Sequence, residues 1–195
     1  MDSTPTGFTE AFLGMEKDGA QFVFTKNTLI YTARNMIARN AVLYGFDRVL
    51  WLDSDIVVKP DTLTKLAADM DTGLDFVSGI YFMRMLPTKP VVYSDVWWRL
   101  NKDNVETGAR NIDTIPDNLF EIAGSGFGCV MTSSNLLRQM LDTYGAPFSP
   151  LMGMSEDLSF CWRVKQAGIK MYCDPAVKVG HIGQYVYTER DWRND

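Results

Sequence analysis

The chain has a single histidine, His181, and only three cysteines, Cys129, Cys161 and Cys173. An odd cysteine count without CxxC spacing excludes a disulfide framework and a thiolate zinc site. The thiols therefore read as reduced and mostly buried, which fits a reducing cytoplasm. Basic charge is not in excess either: 19 lysines and arginines are scattered among 24 acidic residues, for a net charge of −5. Binding a phosphate backbone needs clustered cations, so a general nucleic-acid surface is excluded, although a small anionic ligand can still be held through a metal. No run approaches the roughly 20 apolar residues of a membrane-spanning helix, so no membrane span is expected. The opening MDSTPTGFTEAFLGMEKDG lacks the basic and then apolar pattern of a secretory leader. Internal repeats and low-complexity stretches are absent too. What remains, 195 residues of which 46% are apolar, suits one domain over residues 1–195 with a packed core.

The pattern of apolar residues predicts alternating helices and strands. Phe8, Phe12, Leu13 and Met15 recur at helical spacing over 6–17, and QFVFT reads as a strand. Leu29, Ala33, Met36, Ile37, Ala41 and Tyr44 recur at three and four, predicting a helix over 28–44 with Gly45 as its stop. RVLWLD, at 48–53, has the look of a doubly buried strand that delivers a carboxylate at its C-terminal edge. A helix to about Met70 comes next, then FVSGIYF and PVVYSDVWW as strands, and a polar stretch over 101–118 that reads as a loop. FEIAGSGFGCVMTSS returns to strand character, with Ser133 or Ser134 capping the next helix. SEDLSFCWRVKQAG is a last helix, IKMYC and VKVGHIG are closing strands, and the charged tail from Thr188 is expected to be exposed or poorly ordered. Such alternation favours an α/β fold whose central sheet is mixed and mainly parallel, flanked by helices.

The chemistry-bearing residues gather at a few places. Asp53 and Asp55 stand two apart where a strand gives way to a loop, so both can reach a divalent cation or the hydroxyls of a ribose; a turn cap beside a solvated Asp explains them equally well. His181 comes after a strand, in a position for a structural role or for a metal ligand. Ser155 before Glu156 and Asp157 is an ordinary helix start, with acids favoured by the helix dipole. Helical phase nonetheless separates the two acids: Asp157 shares the apolar side with Cys161 and Val164, Glu156 the polar side with Ser159 and Arg163. Asp157 is therefore expected to point toward the domain, where a carboxylate can accept a proton from an attacking hydroxyl, with Glu156 in support. Arg34 and Asn35 fall on the polar side of their helix. Gly124-Ser125-Gly126-Phe127-Gly128 lacks the Lys and Ser/Thr of a P-loop, so Gly126 serves either close backbone approach to a sugar or a bulged β-turn. Tyr81 and Trp98 offer aromatic faces to a sugar ring, and Trp97 and Trp98 must point in opposite directions. Arg84 is read as a phosphate contact or as surface.

At TARNMIARNAVLYGFDRVLWLDSDIVVKPDTL the chain resembles the GT-A glycosyltransferases, a Rossmann-like fold, and family 2 in particular; the likeness runs over nearly everything after Phe22. The resemblance implies an inverting transfer of a sugar from a nucleotide diphosphate donor, UDP by expectation, to a saccharide, lipid-linked or protein acceptor. It implies Mn2+ or Mg2+ held by Asp55 and His181, with Asp53 nearer the ribose or a metal-bound water, Arg34 and Asn35 near the nucleotide, and Asp157 as catalytic base. A mixed Asp and His set suits Mn2+ somewhat better than Mg2+. The family's domain opens on an apolar strand that contacts the nucleotide base, whereas MDSTPTGF resembles the segment just past that strand. Two other readings use the same residues. WLDSDIV also satisfies the aspartate motif of haloacid-dehalogenase-like phosphatases, but the later acidic pair opens a helix instead of coming after a strand. A saccharide-binding or scaffold protein without catalysis is the other.

Overall fold

The computed structural model describes residues 4–102, 104–183 and 186–192. In chain order these form helices and strands α1 (Thr6–Gly14), α2 (Ile30–Leu43), β1 (Arg48–Leu52), β2 (Ile56–Val57), α3 (Thr62–Met70), β3 (Phe76–Ile80), β4 (Val92–Asn101) and β5 (Asn104–Asn111). They continue as β6 (Phe120–Ile122), β7 (Gly124–Ser125), β8 (Cys129–Ser133), α4 (Ser134–Tyr144), α5 (Glu156–Gln166), β9 (Met171–Lys178), β10 (Gly180–Ile182) and β11 (Val186–Tyr187). A 3-10 turn, Glu189–Asp191, comes last.

The central sheet has the order β1-β8-β3-β9-β6 and divides the core in two. Alternate side chains of a strand face opposite layers. Phe76 and Val130 therefore join Trp51, Phe127, Phe148 and Phe160 on the side of α2, α4 and α5, while Val77, Cys129 and Met131 meet Ile56 and Leu66 on the side of α1 and α3. All three cysteines are free and buried.

The fold is mixed α/β, but its sheet is not mainly parallel. Only β3 and β9 pair in parallel; β8 runs antiparallel to both β1 and β3, and β6 antiparallel to β9. The helical crossovers do give β1, β3 and β9 a common direction. The pattern of elements does not reveal that β8 slots between two of them. β1 is a margin of this sheet and only Trp51 in it is fully buried, so RVLWL is not buried on both faces.

Three other expectations need correction. QFVFT forms no strand: Phe22 and Phe24 both lie on Phe12, with ring centroids 5.1 and 5.6 Å away, instead of alternating across a sheet. The first part of the polar stretch over 101–118 is not loop but β5, paired with β4 in a long hairpin whose two half-exposed faces hide the usual apolar signature. Gly108 in β5 leaves the space taken by Trp97, because a Cβ there would lie 2.4 Å from the indole. Over 188–192 the tail is folded, with Thr188 and Asp191 forming a capping box and Trp192 packed on Phe82; Arg193, Asn194 and Asp195 lie outside the described residues.

The buried face of α2 is only in part the predicted one: Ala33 and Ala41 are buried and Ile37 packs on the core, as expected. Ala33, Arg34, Asn35, Ala38 and Ala41 point inward, whereas Leu29, Met36 and Tyr44 are exposed. Small alanines let α2 approach α4 and β1 closely, and Arg34 and Asn35 are satisfied by partners across the interface.

Candidate functional site

β1 ends one residue before the Asp-Ser-Asp turn. Asp53 N–H donates to the Gly128 carbonyl at 3.1 Å, the last rung toward β8, and Ile56 N–H donates to the Asp53 carbonyl at 3.1 Å, closing a tight turn. β2 then pairs with β10, setting His181 opposite Ile56, and Ile182 N–H donates to the Asp55 carbonyl at 2.7 Å. This register brings the Asp55 carboxylate and the only imidazole together across the chain: Asp55 Oδ2 and His181 Nε2 are 3.5 Å apart.

The other ring nitrogen fixes what this contact can be. His181 Nδ1 lies 2.8 Å from the Phe82 carbonyl, which can only accept, so Nδ1 carries a proton. In the neutral ring Nε2 then presents a lone pair to a carboxylate oxygen. Two acceptors this close need a positive charge between them, which a second ring proton on Nε2 donated to Asp55, or a metal ion in its place, supplies. Metal bonds of about 2.1 Å to each atom span up to about 4.2 Å, so the spacing fits one shared ion. Arg84 supplies a cation here as well, with Nη1 3.0 Å from the same Oδ2. With Nε2 protonated and donating to it, and with Arg84 after that, the Asp55 carboxyl is held below its ordinary range against the opposing effect of burial; a metal ion would take the place of that proton.

Asp53 has a different partner. Arg34 is buried, donates from Nη2 to Asp53 Oδ1 at 2.9 Å and from Nη1 to Glu156 Oε1 at 3.0 Å, and places its guanidinium 5.1 Å from the centre of the Phe127 ring. Desolvation raises the pKa of both Asp53 and Glu156, and Arg34 opposes it in each case. No group of three or more His, Cys, Asp or Glu side chains is poised for a metal among the described residues, and Asp53 Oδ1 is engaged by Arg34.

The helix α5 corrects the assignment of faces. Ser159 and Arg163 are buried, not solvated: the loop over 145–155 covers them, with Leu151 N–H donating to Ser159 Oγ and Arg163 Nη1 donating to the Pro147 and Ser149 carbonyls at 2.6 and 2.7 Å. Glu156 accordingly points inward to Arg34. Asp157 is half-buried beside it, and its charge acts on Asp53, Glu156, Tyr81 and Tyr93. Ser155 holds the N-cap position, but its hydroxyl bonds to Asp157 Oδ1, which also accepts from Leu158 N–H at 2.7 Å.

Four other candidates do different work. Asn35 Oδ1 accepts from Phe148 N–H at 3.0 Å and fastens the loop over α5. Tyr81 is only 5% exposed, edge-on to His181, and accepts from Gly128 N–H, so it offers no face to a sugar. The close approach at Gly126 is to Tyr81, whose Oη would lie 2.0 Å from an added Cβ. Trp98 packs edge-on against Trp162 at 5.6 Å and donates to the Met152 carbonyl, tying β4 to α5. Trp97 points to the other side, onto β5. Asp53, Asp55, His181, Arg34 and Glu156 thus form one cluster with Asp157 alongside, and Tyr81, backed by Gly126, packs against His181; Asn35 and Trp98 act elsewhere in the frame. A groove of about 490 Å³ between α2 and α4, lined by Arg39, Val42, Leu43, Arg138, Leu141 and Asp142, contains none of these residues.

No family model and no curated protein matches the chain. Among solved structures it is similar to A197 from STIV, with 18% identity, a TM-score of 0.66, and 94% of this chain and 82% of that one covered. An apo UDP-glucose pyrophosphorylase is more distant, at 10% identity and a TM-score of 0.45, covering 80% of this chain and 55% of that one. The first likeness establishes a shared mixed α/β fold. Within the described residues, no helix is long and apolar enough to cross a membrane.

Proposed function

We propose that the chain is a metal-dependent glycosyltransferase that moves a sugar from a nucleotide diphosphate donor, UDP-linked by expectation, to an acceptor hydroxyl with inversion. The observation that carries this reading is the approach of Asp55 Oδ2 to His181 Nε2 at 3.5 Å, with Nδ1 tied to Phe82 so that Nε2 is the ring atom turned to the carboxylate. Asp55 and His181 would hold Mn2+ or Mg2+, leaving most coordination positions to the donor and water. A bound divalent ion supplies positive charge to the leaving diphosphate.

The remaining roles belong to the chain itself. The acceptor oxygen attacks the anomeric carbon, the bond from that carbon to the diphosphate oxygen breaks with its electron pair, and the hydroxyl proton passes to the Asp157 carboxylate. Both observed contacts of Asp157 fall on Oδ1, so Oδ2 is left to receive the proton. Arg34 anchors Asp53 and Glu156, holding the Asp-Ser-Asp turn and the start of α5 in fixed relation so that donor and base meet at one carbon. A phosphatase of the haloacid-dehalogenase type would use Asp53 as nucleophile; here that carboxylate is engaged by a buried arginine.

Calorimetry with UDP and Mn2+, followed by a transfer assay over a panel of nucleotide sugars, tests the reading. Asp55→Ala is expected to lose metal-dependent UDP binding, and Asp157→Asn to keep binding while losing transfer by about 10²-fold or more. Unimpaired transfer in Asp157→Asn would refute the base, and metal-independent UDP binding would refute the site.

A further inference from the structure

Asp55 Oδ2 is shared. It faces His181 Nε2 and accepts a hydrogen bond from Arg84 Nη1 at 3.0 Å, while the same nitrogen lies 3.4 Å from the Ile182 carbonyl. Arg84 is half exposed and rides on an excursion between Phe82 and Pro90 that is closed at its base. Met83 N–H donates to the Lys89 carbonyl at 2.8 Å, Thr88 Oγ1 to the Met83 carbonyl at 2.6 Å, and Thr88 N–H to the Asp191 carbonyl at 3.4 Å. Beyond that base, Met85 and Leu86 are exposed. The root of the excursion is thus fixed, while the guanidinium at its flank has room to turn.

We propose that Arg84 is a place-holder for the metal: it neutralises Asp55 in the free protein, leaves Oδ2 when a divalent cation enters between Asp55 and His181, and then binds the diphosphate of the donor. The inference rests on Asp55 and His181 being the ligands. A doubly charged ion on Oδ2 repels a guanidinium on the same oxygen, and an exposed arginine–carboxylate pair is weak enough to yield. The displaced planar fork stays within side-chain reach of the ion, where a pyrophosphate bridging to that ion would accept two parallel hydrogen bonds. Arg34 cannot play this part, since it is buried and both its terminal nitrogens are committed to Asp53 and Glu156.

The test is Mn2+ titration of the full chain, monitored by the electron paramagnetic resonance of free Mn2+, for wild type, Arg84→Gln, Arg84→Lys and Asp55→Asn. It is followed by UDP titration at saturating Mn2+. Without nucleotide, Arg84→Gln should bind Mn2+ more tightly, by up to about fivefold, because a competitor is gone, and Arg84→Lys should stay near wild type. With Mn2+ saturating, Arg84→Gln should bind UDP about tenfold more weakly. Unchanged or weaker Mn2+ affinity in Arg84→Gln, with binding abolished in Asp55→Asn, overturns the place-holder while leaving the metal site standing. Tighter Mn2+ binding with unchanged UDP affinity overturns the phosphate contact. A wild type that binds no Mn2+ overturns the metal site and this inference together.

Discussion

Asp53 and Asp55 are neighbours on one turn, and an arginine contacts each, yet the two pairs differ in kind. Arg34 is buried, stacked on Phe127 and shared with Glu156, whereas Arg84 is half exposed and shares its oxygen with an imidazole. One half of the cluster is a fixed strut and the other is exchangeable. A site that must hold a framework and also admit a ligand gains from this division, because the desolvated pair is costly to break and the exposed one is not.

Removing the strut is the severest way to test that contrast. Arg34→Met should destabilise the fold by about 3 kcal/mol in urea unfolding, since it leaves the largely buried Glu156 without its partner, the more exposed Asp53 adding little. Adding Glu156→Gln should recover part of the loss; no recovery would mean that the arginine acts through packing on Phe127 and not through charge. Gly126→Ala comes next, at about 1–3 kcal/mol, from the clash with Tyr81. In a Tyr81→Phe background, which removes the offending oxygen, the same substitution should cost less, as a double-mutant cycle will read out.

A carboxylate pair with no arginine supplies the control. Asp69 Oδ2 is buried without a hydrogen-bond partner among the described residues, and desolvation together with Asp174 pushes Asp69 up to about 6. A raised carboxyl binds its proton better in the folded state. Its contribution is therefore complete below the ordinary carboxylate range and is lost as pH rises through about 6. Asp69→Asn should raise the urea midpoint at pH 7–8, and the difference should vanish below about pH 4. The smallest effect belongs to Arg84→Gln, whose unfolding free energy should stay within about 1 kcal/mol of wild type.

Local patterns were legible in the sequence and long-range ones were not. A strand leading into Asp53 and Asp55, and an acidic pair opening a helix, are local and lie where they were expected. So does the approach of His181 to Asp55, although only the resemblance, and no spacing, suggested it. Burial of Arg34 and Asn35 was not legible, because periodicity weighs apolar side chains and the inner face of α2 is built from alanines and two polar residues with distant partners. Glu156 was misplaced for the same reason: Ser159 and Arg163 look like a wet face until a loop from elsewhere in sequence covers them. The β4–β5 hairpin escaped because both its faces are partly wet and its stability comes from cross-strand pairing, which has no signature in one strand alone. Insertion of β8 between β1 and β3 is likewise a property of the whole sheet.

The presence of a single histidine allows a direct test of whether Asp55 and His181 share a cation. Pulsed electron paramagnetic resonance of bound Mn2+, on protein carrying 15N-labelled histidine, should show coupling to one imidazole nitrogen that is lost in His181→Gln. A tightly bound Mn2+ with no histidine nitrogen coupling in the wild type would contradict the account.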